Sequence, residues 1–529
     1  LLAGLASSVL PSIEGWNKKR GTEVPEFLQD LWLQVFDASG RLLQDPSVRA
    51  IYWIRQISVA FKKVFTVCKP KYVESAIAAF YETDIRIPRK FRSALTLSDV
   101  AHWLFGKPVG RAMASWDTVY QNGPGAVADR LDVNERWDFP TISPHIEAAF
   151  GAERFRATWH DLRFHYPMVK EVPARLVAVP KTATKPRLIS IEPSHNQYLQ
   201  QSLMSALYDE LTRIWAVDIR NQEPNQRLAM EGSRDGRLAT IDLSEASDRI
   251  SNDLVAQMFS WNPSFVTFLE ATRSREVTTP DGTNFHLRKF ASMGSALTFP
   301  VETMVFMAIV IMGMCVQDGD VSKRNALKHF HSARVRVYGD DIILPTPYFQ
   351  SVCDLLEQFG LKVNRLKSFS TGFFRESCGK DWYKGIDVTP IYVRRPIADG
   401  HLPVDTLVSL VAFHNQFWLR NGENDTTNLV ASLIRSDLPG IPVLYPHQGL
   451  AESNWRDVGK DSHILPYHLA VGGLYLCGYD DEGEFRLNRE LQVMEVKTYY
   501  LSAKAPETQG TERGKLLKSL AGPKSDDPD

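Results

Sequence analysis

The sequence predicts an α+β fold in which an antiparallel sheet packs on helices, and three patterns predict it. Ala333-Arg334-Val335-Arg336-Val337 alternates, Tyr338-Gly339-Asp340-Asp341 reads as a tight turn, and Ile342-Ile343-Leu344 resumes the apolar run. Two strands therefore meet at an acidic tip. Leu199, Leu203, Leu207 and Leu211 recur every four positions within 197–217, the period of a helix with one buried face. Residues 301–316 are apolar almost throughout and rich in Met, which suits an irregularly packed core helix.

The remaining elements follow in order. Up to about residue 120 (a boundary set by pattern), aromatic helix-like stretches carry the basic clusters Lys18-Lys19-Arg20, Lys62-Lys63 and Arg89-Lys90-Phe91-Arg92. Each cluster alone is ordinarily a solvated face, and together they border a path for a polyanion. Asn122-Gly123-Pro124-Gly125 marks a sharp turn, and 143–165 reads as an aromatic helix. Residues 177–191 read as two strands flanking a basic hairpin. Leu238-Ala239-Thr240-Ile241 is a strand ending at Asp242, followed by a turn and a helix over 251–259. A hairpin over 278–290 turns at Asp281-Gly282, and Ser292-Met293-Gly294-Ser295 leads into the apolar helix. Beyond the acidic turn come a helix over 349–359, short strands over 361–369 and 371–374, helices over 405–419 and 425–434, and a tail from Lys504 expected to be mobile.

Composition bounds the function. A chain of 529 residues calls for several subdomains. With 44% hydrophobic and 23% charged residues it is an ordinary soluble globular protein. The 61 basic and 62 acidic residues give a net charge of −1, so any basic surface is local. That weakens a coating or packaging role and leaves room for an enzyme with an internal basic channel. Cys68, Cys315, Cys353, Cys378 and Cys477 are odd in number and lack zinc-like spacing, which predicts free thiols in a reducing compartment. The chain begins at Leu1. Its first ten residues are apolar but too short to span a bilayer, and 301–316 is also short and carries Glu302, so no membrane partner is expected.

The chemistry-bearing residues form an ordered set. Asp242 ends one strand, and Asp340 and Asp341 occupy a later hairpin turn. If those strands are neighbours, three carboxylates converge and are suited to holding two hard cations about 4 Å apart. Taken alone, the turn tetrapeptide also fits a surface β-turn. Lys181, Lys185 and Arg187 share one face of an extended segment and suit an incoming triphosphate; alone they also fit a solvated basic hairpin. Asp248, six positions after Asp242, suits a ribose 2′-OH, or simply a helix N-terminus. Ser292, Gly294 and Ser295 offer a loop of small residues that approaches a base or sugar closely, or else a helix cap. Thr298 and Glu302 share a helix face. Lys367 suits proton donation to a leaving pyrophosphate, or a plain surface position. The stretch 374–379 suits a hairpin gripping primer or nascent strand, with Cys378 packed rather than nucleophilic.

These motifs resemble, in order, those of the replicase subunit of the positive-strand RNA bacteriophages, the levivirus group. The resemblance runs through Asn225-Gln226-Arg227-Leu228-Ala229, Gly232-Ser233, Asp235-Gly236, Leu238 to Ser244 and Ala246-Ser247-Asp248. It continues through Met293-Gly294, Thr298-Phe299, Glu302, Tyr338-Gly339-Asp340-Asp341 and Phe374-Arg375-Glu376-Ser377-Cys378-Gly379. It is firm over roughly 180–400 and rests on length and order elsewhere.

The resemblance implies a right-handed polymerase of fingers, palm and thumb, with an antiparallel palm sheet packed on helices. The implied divisions are 1–235 for the N-terminal region and fingers, 236–260 and 289–395 for the palm, 261–288 for a fingers insertion, 396–502 for the thumb and 503–529 for the tail. It implies RNA-directed RNA synthesis with primer-independent initiation in the cytoplasm of an infected bacterium. Asp242, Asp340 and Asp341 would hold two Mg2+ ions, with Mn2+ able to substitute. Lys181, Lys185, Arg187, Asp248, Ser292, Gly294, Ser295 and Glu302 would bind nucleotide. Tyr338, Gly339 and Arg375 would contact RNA, and Lys367 would match the late palm lysine. Implied partners are template and nascent RNA, nucleoside triphosphates, elongation factors Tu and Ts and, in some members, ribosomal protein S1. The chain departs from the family pattern at Ser295-Ala296, where the family has Asn-Gly, and at Pro300, where it has Glu. Two rivals remain: a reverse transcriptase, disfavoured by Asp248 and by the lack of an aromatic residue just after Asp242, and an RNA-binding structural or packaging protein, which needs no convergent acids.

Overall fold

The computed structural model describes residues 24–500, apart from 65–67, 92–93, 119–122, 124, 133–134, 138, 156–166, 183, 398–399, 446–472, 480–481 and 489–492. The expectations for residues 1–10, for Lys18-Lys19-Arg20, for Arg92, for Asn122 and Pro124, and for the tail from Lys504 lie outside the described residues. The chain divides into two compact units, Leu1–Tyr392 and Val393–Asp529.

After a single helical turn at Gln29–Trp32, the first unit runs through helices α1 (Val48–Val59), α2 (Pro70–Ile85) and α3 (Ala94–Ser115). Ser47 caps α1 by accepting the Ala50 N–H, satisfying one of its orphan donors. Pro70 opens α2, where its missing N–H costs nothing. Leu97, Val100, Ala101, Leu104 and Phe105 of α3 recur with helical spacing and enter the main core. Of the helix expected over 143–165, the described residues hold an α-helix over Pro144–Phe150, after which Gly151, at φ 76°, passes the chain into a 3-10 turn, Ala152–Phe155; residues 156–165 lie outside the described residues.

Strands β1 (Ala174–Val179) and β2 (Arg187–Ile191) form the expected hairpin, with Val179 opposite Arg187. Helix α4 (Ser194–Leu211) follows, its four periodic leucines all buried. Helix α5 (Glu223–Asp235) ends at Gly236, which passes the chain straight into β3 (Leu238–Asp242). Helices α6 (Asn252–Met258) and α7 (Pro263–Thr272) are capped by Ser251 and Asn262. Strands β4 (Glu276–Thr278) and β5 (Asn284–His286) make the hairpin around Asp281-Gly282. β4 pairs in parallel with β1, giving a four-stranded sheet in the order β2-β1-β4-β5.

Helix α8 (Thr298–Gln317) is long and apolar enough to cross a membrane by length and composition, but it runs through the core with every residue from Pro300 to Cys315 buried. Helix α9 (Lys323–Phe330) leads to β6 (Arg336–Tyr338), β7 (Asp341–Pro345) and helix α10 (Phe349–Gln358). β6 starts later than the alternation suggests because Ala333 and Arg334 lie exposed ahead of it. Strands β3, β7 and β6 form an antiparallel sheet in the order β3-β7-β6. Residues 361–369 are not a strand. They touch β3 at two isolated bridges, Leu243↔Val363 and Thr240↔Phe369. The turn between those contacts leaves too few successive rungs for a ladder. The next strand begins only at Phe374: β8 (Phe374–Ser377), β9 (Lys380–Tyr383) and β10 (Ile386–Asp387) form a three-stranded sheet.

In the second unit, helix α11 (Val404–Asn421) is followed by helix α12 (Asp425–Asp437), which a capping box at Asn424 and Thr427 starts. Trp418, Leu444, Tyr475 and Cys477 form a small core there.

One polar knot fixes the corner after α8. Asp318 accepts from Asn325 Nδ2 at 3.0 Å and from the Tyr348 hydroxyl at 2.9 Å, and lies 2.7 Å from His329 Nε2. These contacts, Asn325 foremost, hold the Asp318 pKa down at about 2. A depressed folded pKa contributes stability above the ordinary carboxylate range, and that contribution is lost as pH falls through the folded value. The melting-temperature advantage of the native chain over Asp318→Asn is therefore expected to be full at about pH 5 and to shrink towards about pH 2. A gap independent of pH would contradict the knot.

Candidate active site

The sheet brings the acids together. Antiparallel pairing of β3 with β7 sets Asp242 opposite Asp341, and Asp340 stands exposed at the tip of the β6–β7 turn. Gly339 makes that turn at φ 58°, a conformation that opposes a side chain. Its N–H donates to Thr303 Oγ1 of α8 at 3.1 Å, and a Cβ placed on it would come within 2.5 Å of the Phe299 ring. Behind the turn, Asn225 Nδ2 donates to the Asp341 carbonyl at 3.3 Å, and Arg336 Nε donates to Asn225 Oδ1 at 2.8 Å. Arg336 is fully buried, and its guanidinium also donates to the carbonyls of Trp215, Asp218 and Asn221. This buried cation thus ties β6 to the chain ahead of α5.

Crowding of carboxylates dominates the local electrostatics. Burial, then Asp340, pushes Asp341 up to about 7, against a hydrogen bond from the Cys378 backbone. Burial also raises Asp242, an effect reduced by Lys367 and Asn364 and reinforced by Asp340. Asn364 Nδ2 donates to Asp242 Oδ2 at 2.7 Å. Lys367 Nζ stands 3.9 Å from Asp242 Oδ1 and 3.7 Å from Glu376 Oε1. Burial lowers the Lys367 pKa, but Glu376, Asp242 and Asp341 outweigh it, so the ammonium is held more firmly protonated. Glu376 itself is raised, chiefly by burial. Burial, Arg187 and Lys367 lower Lys181, while Asp340 and Asp242 pull the other way. Lys181 therefore shares the field of the acids, and Lys185 and Arg187 stand exposed beside it on the same hairpin.

Other expected site residues fall less uniformly. Asp248 is partly exposed and ion-paired with Lys289 at 2.9 Å. Glu302 is buried beneath the turn, and burial, then Asp340 and Asp248, push its pKa well above the ordinary carboxylate value. Gly294, at φ 125°, lies against β2 so closely that a Cβ would meet the Ser190 carbonyl at 2.0 Å. Its requirement is that close approach, sealed by the Ser190 N–H donating to the Met293 carbonyl. Ser295 is partly exposed, whereas Ser292 is buried, which removes its hydroxyl from direct nucleotide contact. Neither serine caps α8, whose N-cap is Leu297. Tyr338 is half-buried and its hydroxyl accepts from Gln222 Nε2 at 3.1 Å, while Gly339 is buried.

Arg375 requires correction. It is fully buried and donates to the carbonyls of Leu238, Thr371, Gly372 and Phe374, so it is not an RNA contact. The planar fork ties the first carbonyl of β3 to those of the turn leading into β8. Sequence reading also passed over Asn364, Glu376 and Lys289. Glu376 lies inside a quoted motif. Asn364 and Lys289 carry no local signal, because their partners are distant in sequence.

The donors around Asp242 suit a hard divalent cation. They are carboxylate oxygens whose mutual repulsion and burial oppose ionisation until positive charge arrives. Among the described residues no three metal-ligating side chains converge closely enough to hold an ion as they stand. The backbone pairing is in place, but Asn364 and Lys367 engage the Asp242 carboxylate.

Residues 155–416 match the family described as RNA replicase, beta-chain. The matched stretch, just under half of the chain, is similar to that family. The matched stretch contains Asp242, Asp340, Asp341 and all the other candidate residues named above. The chain is 42% identical over 223 residues to the RNA-directed RNA polymerase subunit beta of Enterobacteria phage SP, covering 42% of this chain and 36% of that one. It is 38% identical over 236 residues to the subunit of Escherichia virus Qbeta, covering 45% and 37%. It is 34% identical over 281 residues to the RNA-directed RNA polymerase beta chain of Escherichia phage MS2, covering 52% and 47%. The matches thus span less than half the length of each of these relatives. Among solved structures, the RNA-dependent RNA polymerase of a human picorbirnavirus aligns with a TM-score of 0.42 at 13% identity, covering 80% of this chain and 91% of that one.

The tight turn yields a double-mutant test. Gly339→Ala is expected to cost about 2–4 kcal/mol in denaturant unfolding, from the left-handed backbone and the overlap with Phe299. In a Phe299→Ala background the same change is expected to cost about 1–2 kcal/mol, the backbone part alone. Equal costs in the two backgrounds would contradict the contact.

Proposed function

We propose that the chain copies RNA into RNA by template-directed nucleotidyl transfer from ribonucleoside triphosphates, replicating a single-stranded RNA phage genome. Initiation is primer-independent, at the template 3′ end. The observation that carries this reading is the register of β3 against β7, which pairs Asp242 with Asp341 and sets Asp340 at the turn, inside the stretch shared with the replicase family.

In this reading the 3′-hydroxyl of the nascent strand loses its proton to solvent, and its oxygen bonds to the α-phosphorus of the incoming nucleotide as the bond to pyrophosphate breaks. Asp242, Asp340 and Asp341 would hold two Mg2+ ions, or Mn2+ in their place, which would lower the pKa of the attacking hydroxyl and neutralise charge on the triphosphate. Lys181, Lys185 and Arg187 receive the triphosphate charge on the exposed side of the β1–β2 hairpin. Lys367, kept protonated by Glu376 and Asp242, delivers its proton to the departing pyrophosphate. Asp248 accepts from the ribose 2′-OH, and Ser295 lies in the loop that approaches the nucleotide. Template and nascent RNA are the macromolecular ligands. In the same reading the work is done in the cytoplasm of an infected bacterium, with elongation factors Tu and Ts and, as in some phage replicases, ribosomal protein S1 as partners; the resemblance to phage replicases is what supports it.

The test is RNA synthesis by the purified chain on an RNA with a defined 3′ end, with and without bacterial elongation factors. Asp340→Asn is expected to reduce incorporation at least about 100-fold while RNA binding stays near the native level. Normal turnover by Asp340→Asn with Mg2+ would overturn the assignment.

A further inference from the structure

Lys289 is fully buried, in the stretch that leads from β5 to the small-residue loop. Burying an ammonium is costly unless it is paired and hydrogen-bonded. Its Nζ donates to Asp248 Oδ1 at 2.9 Å and lies 3.3 Å from the centroid of the Phe80 ring. Its own N–H donates to Asp84 Oδ1 at 3.0 Å, and the preceding N–H, of Arg288, reaches both Asp84 oxygens at 3.1 and 2.9 Å. Phe80 and Asp84 are four apart on α2 and so share a face. One turn of α2 therefore supplies the ring beneath the ammonium and the carboxylate that anchors the backbone. Arg288 fastens the same seat by donating from Nη1 to the Ile85 carbonyl at 2.6 Å.

The pairing is asymmetric. Lys289 is sealed in, while the Asp248 side chain is 27% exposed. Among the described residues only Lys289 donates to the Asp248 carboxylate, and it does so at Oδ1. An internal tie needs no solvent-facing partner, whereas a carboxylate held by one oxygen leaves the other for a ligand hydroxyl.

We propose that Lys289 is a positioning residue for ribose selection: seated on Phe80 and Asp84 of α2, it fixes the Asp248 carboxylate so that its open oxygen meets the sugar 2′-OH. This rests on the polymerase reading above.

The test compares kcat/KM for a ribonucleoside triphosphate with that for its 2′-deoxy counterpart, on one RNA template, in the full chain. Lys289→Met is expected to lower the preference for ribose roughly tenfold, the loss of a charge-assisted hydrogen bond, through a raised KM for the ribonucleotide. Lys289→Arg is expected to restore much of it. In an Asp248→Asn background, Lys289→Met is expected to change the preference no further, because both act through one carboxylate. Phe80→Leu removes the ring without removing the charge, and a smaller shift in the same direction is expected; it serves as the readout if Lys289→Met does not fold. Unchanged ribose preference in folded Lys289→Met, or in Phe80→Leu where the first variant fails to fold, would overturn the proposal. So would equal losses for both nucleotides. Absence of ribonucleotide incorporation by the unmutated chain is a separate result and would overturn the polymerase reading itself.

Discussion

Pairing β3 with β7 in a single register sets Asp242 against Asp341, and much of the surrounding structure manages the repulsion that this creates. Carboxylates on adjoining strands, partly out of water, resist ionisation, and Asp341 is accordingly pushed up to about 7. Two kinds of positive charge answer this. Lys367 and Lys181 lie on the open side, within the field of the acids. Arg336, Arg375 and Lys289 are fully buried and act from inside.

The buried cations share a mode of action. Arg336 and Arg375 spend their donors largely on main-chain carbonyls, fixing the chain before α5 and the start of β3. Lys289 holds a single carboxylate. The sheet that carries the acidic turn is thus held by groups that do not reach the open face, while Lys181 and Lys367 lie exposed on that face, Lys367 beside Asp242 and Glu376. The irregularity of 361–369 belongs to the same arrangement. A continuous strand would direct alternate side chains away from the edge. The two-bridge contact instead lets Asn364 and Lys367 approach the Asp242 carboxylate and lets the Ser368 hydroxyl accept the Asp242 N–H.

Local rules carried the sequence reading as far as local rules apply. Alternation around Tyr338-Gly339-Asp340-Asp341, and an acid at the end of 238–242, were legible because strand and turn preferences are encoded within a few residues. The basic hairpin at 181–187 and the apolar helix at 301–316 were legible for the same reason. What escaped depends on contacts across the chain. Lys289 meets Asp248 over 41 positions, and Asn364 meets Asp242 over 122. Arg375 was misread because arginine is usually a surface residue, and only the fold reveals the carbonyls that demand it. The strand expected over 361–369 failed because apolar alternation does not supply a continuous ladder.

The central claim is that the paired acids form a cation site for nucleotide transfer. Crystals of the chain grown with Mn2+, template RNA and a non-hydrolysable ribonucleoside triphosphate would test it by anomalous scattering. The account predicts anomalous peaks at coordination distance, about 2.1 Å, from carboxylate oxygens of Asp242 and Asp341, with the triphosphate facing Lys181 and Arg187. Peaks elsewhere, or bound nucleotide with no metal at these acids, would contradict it.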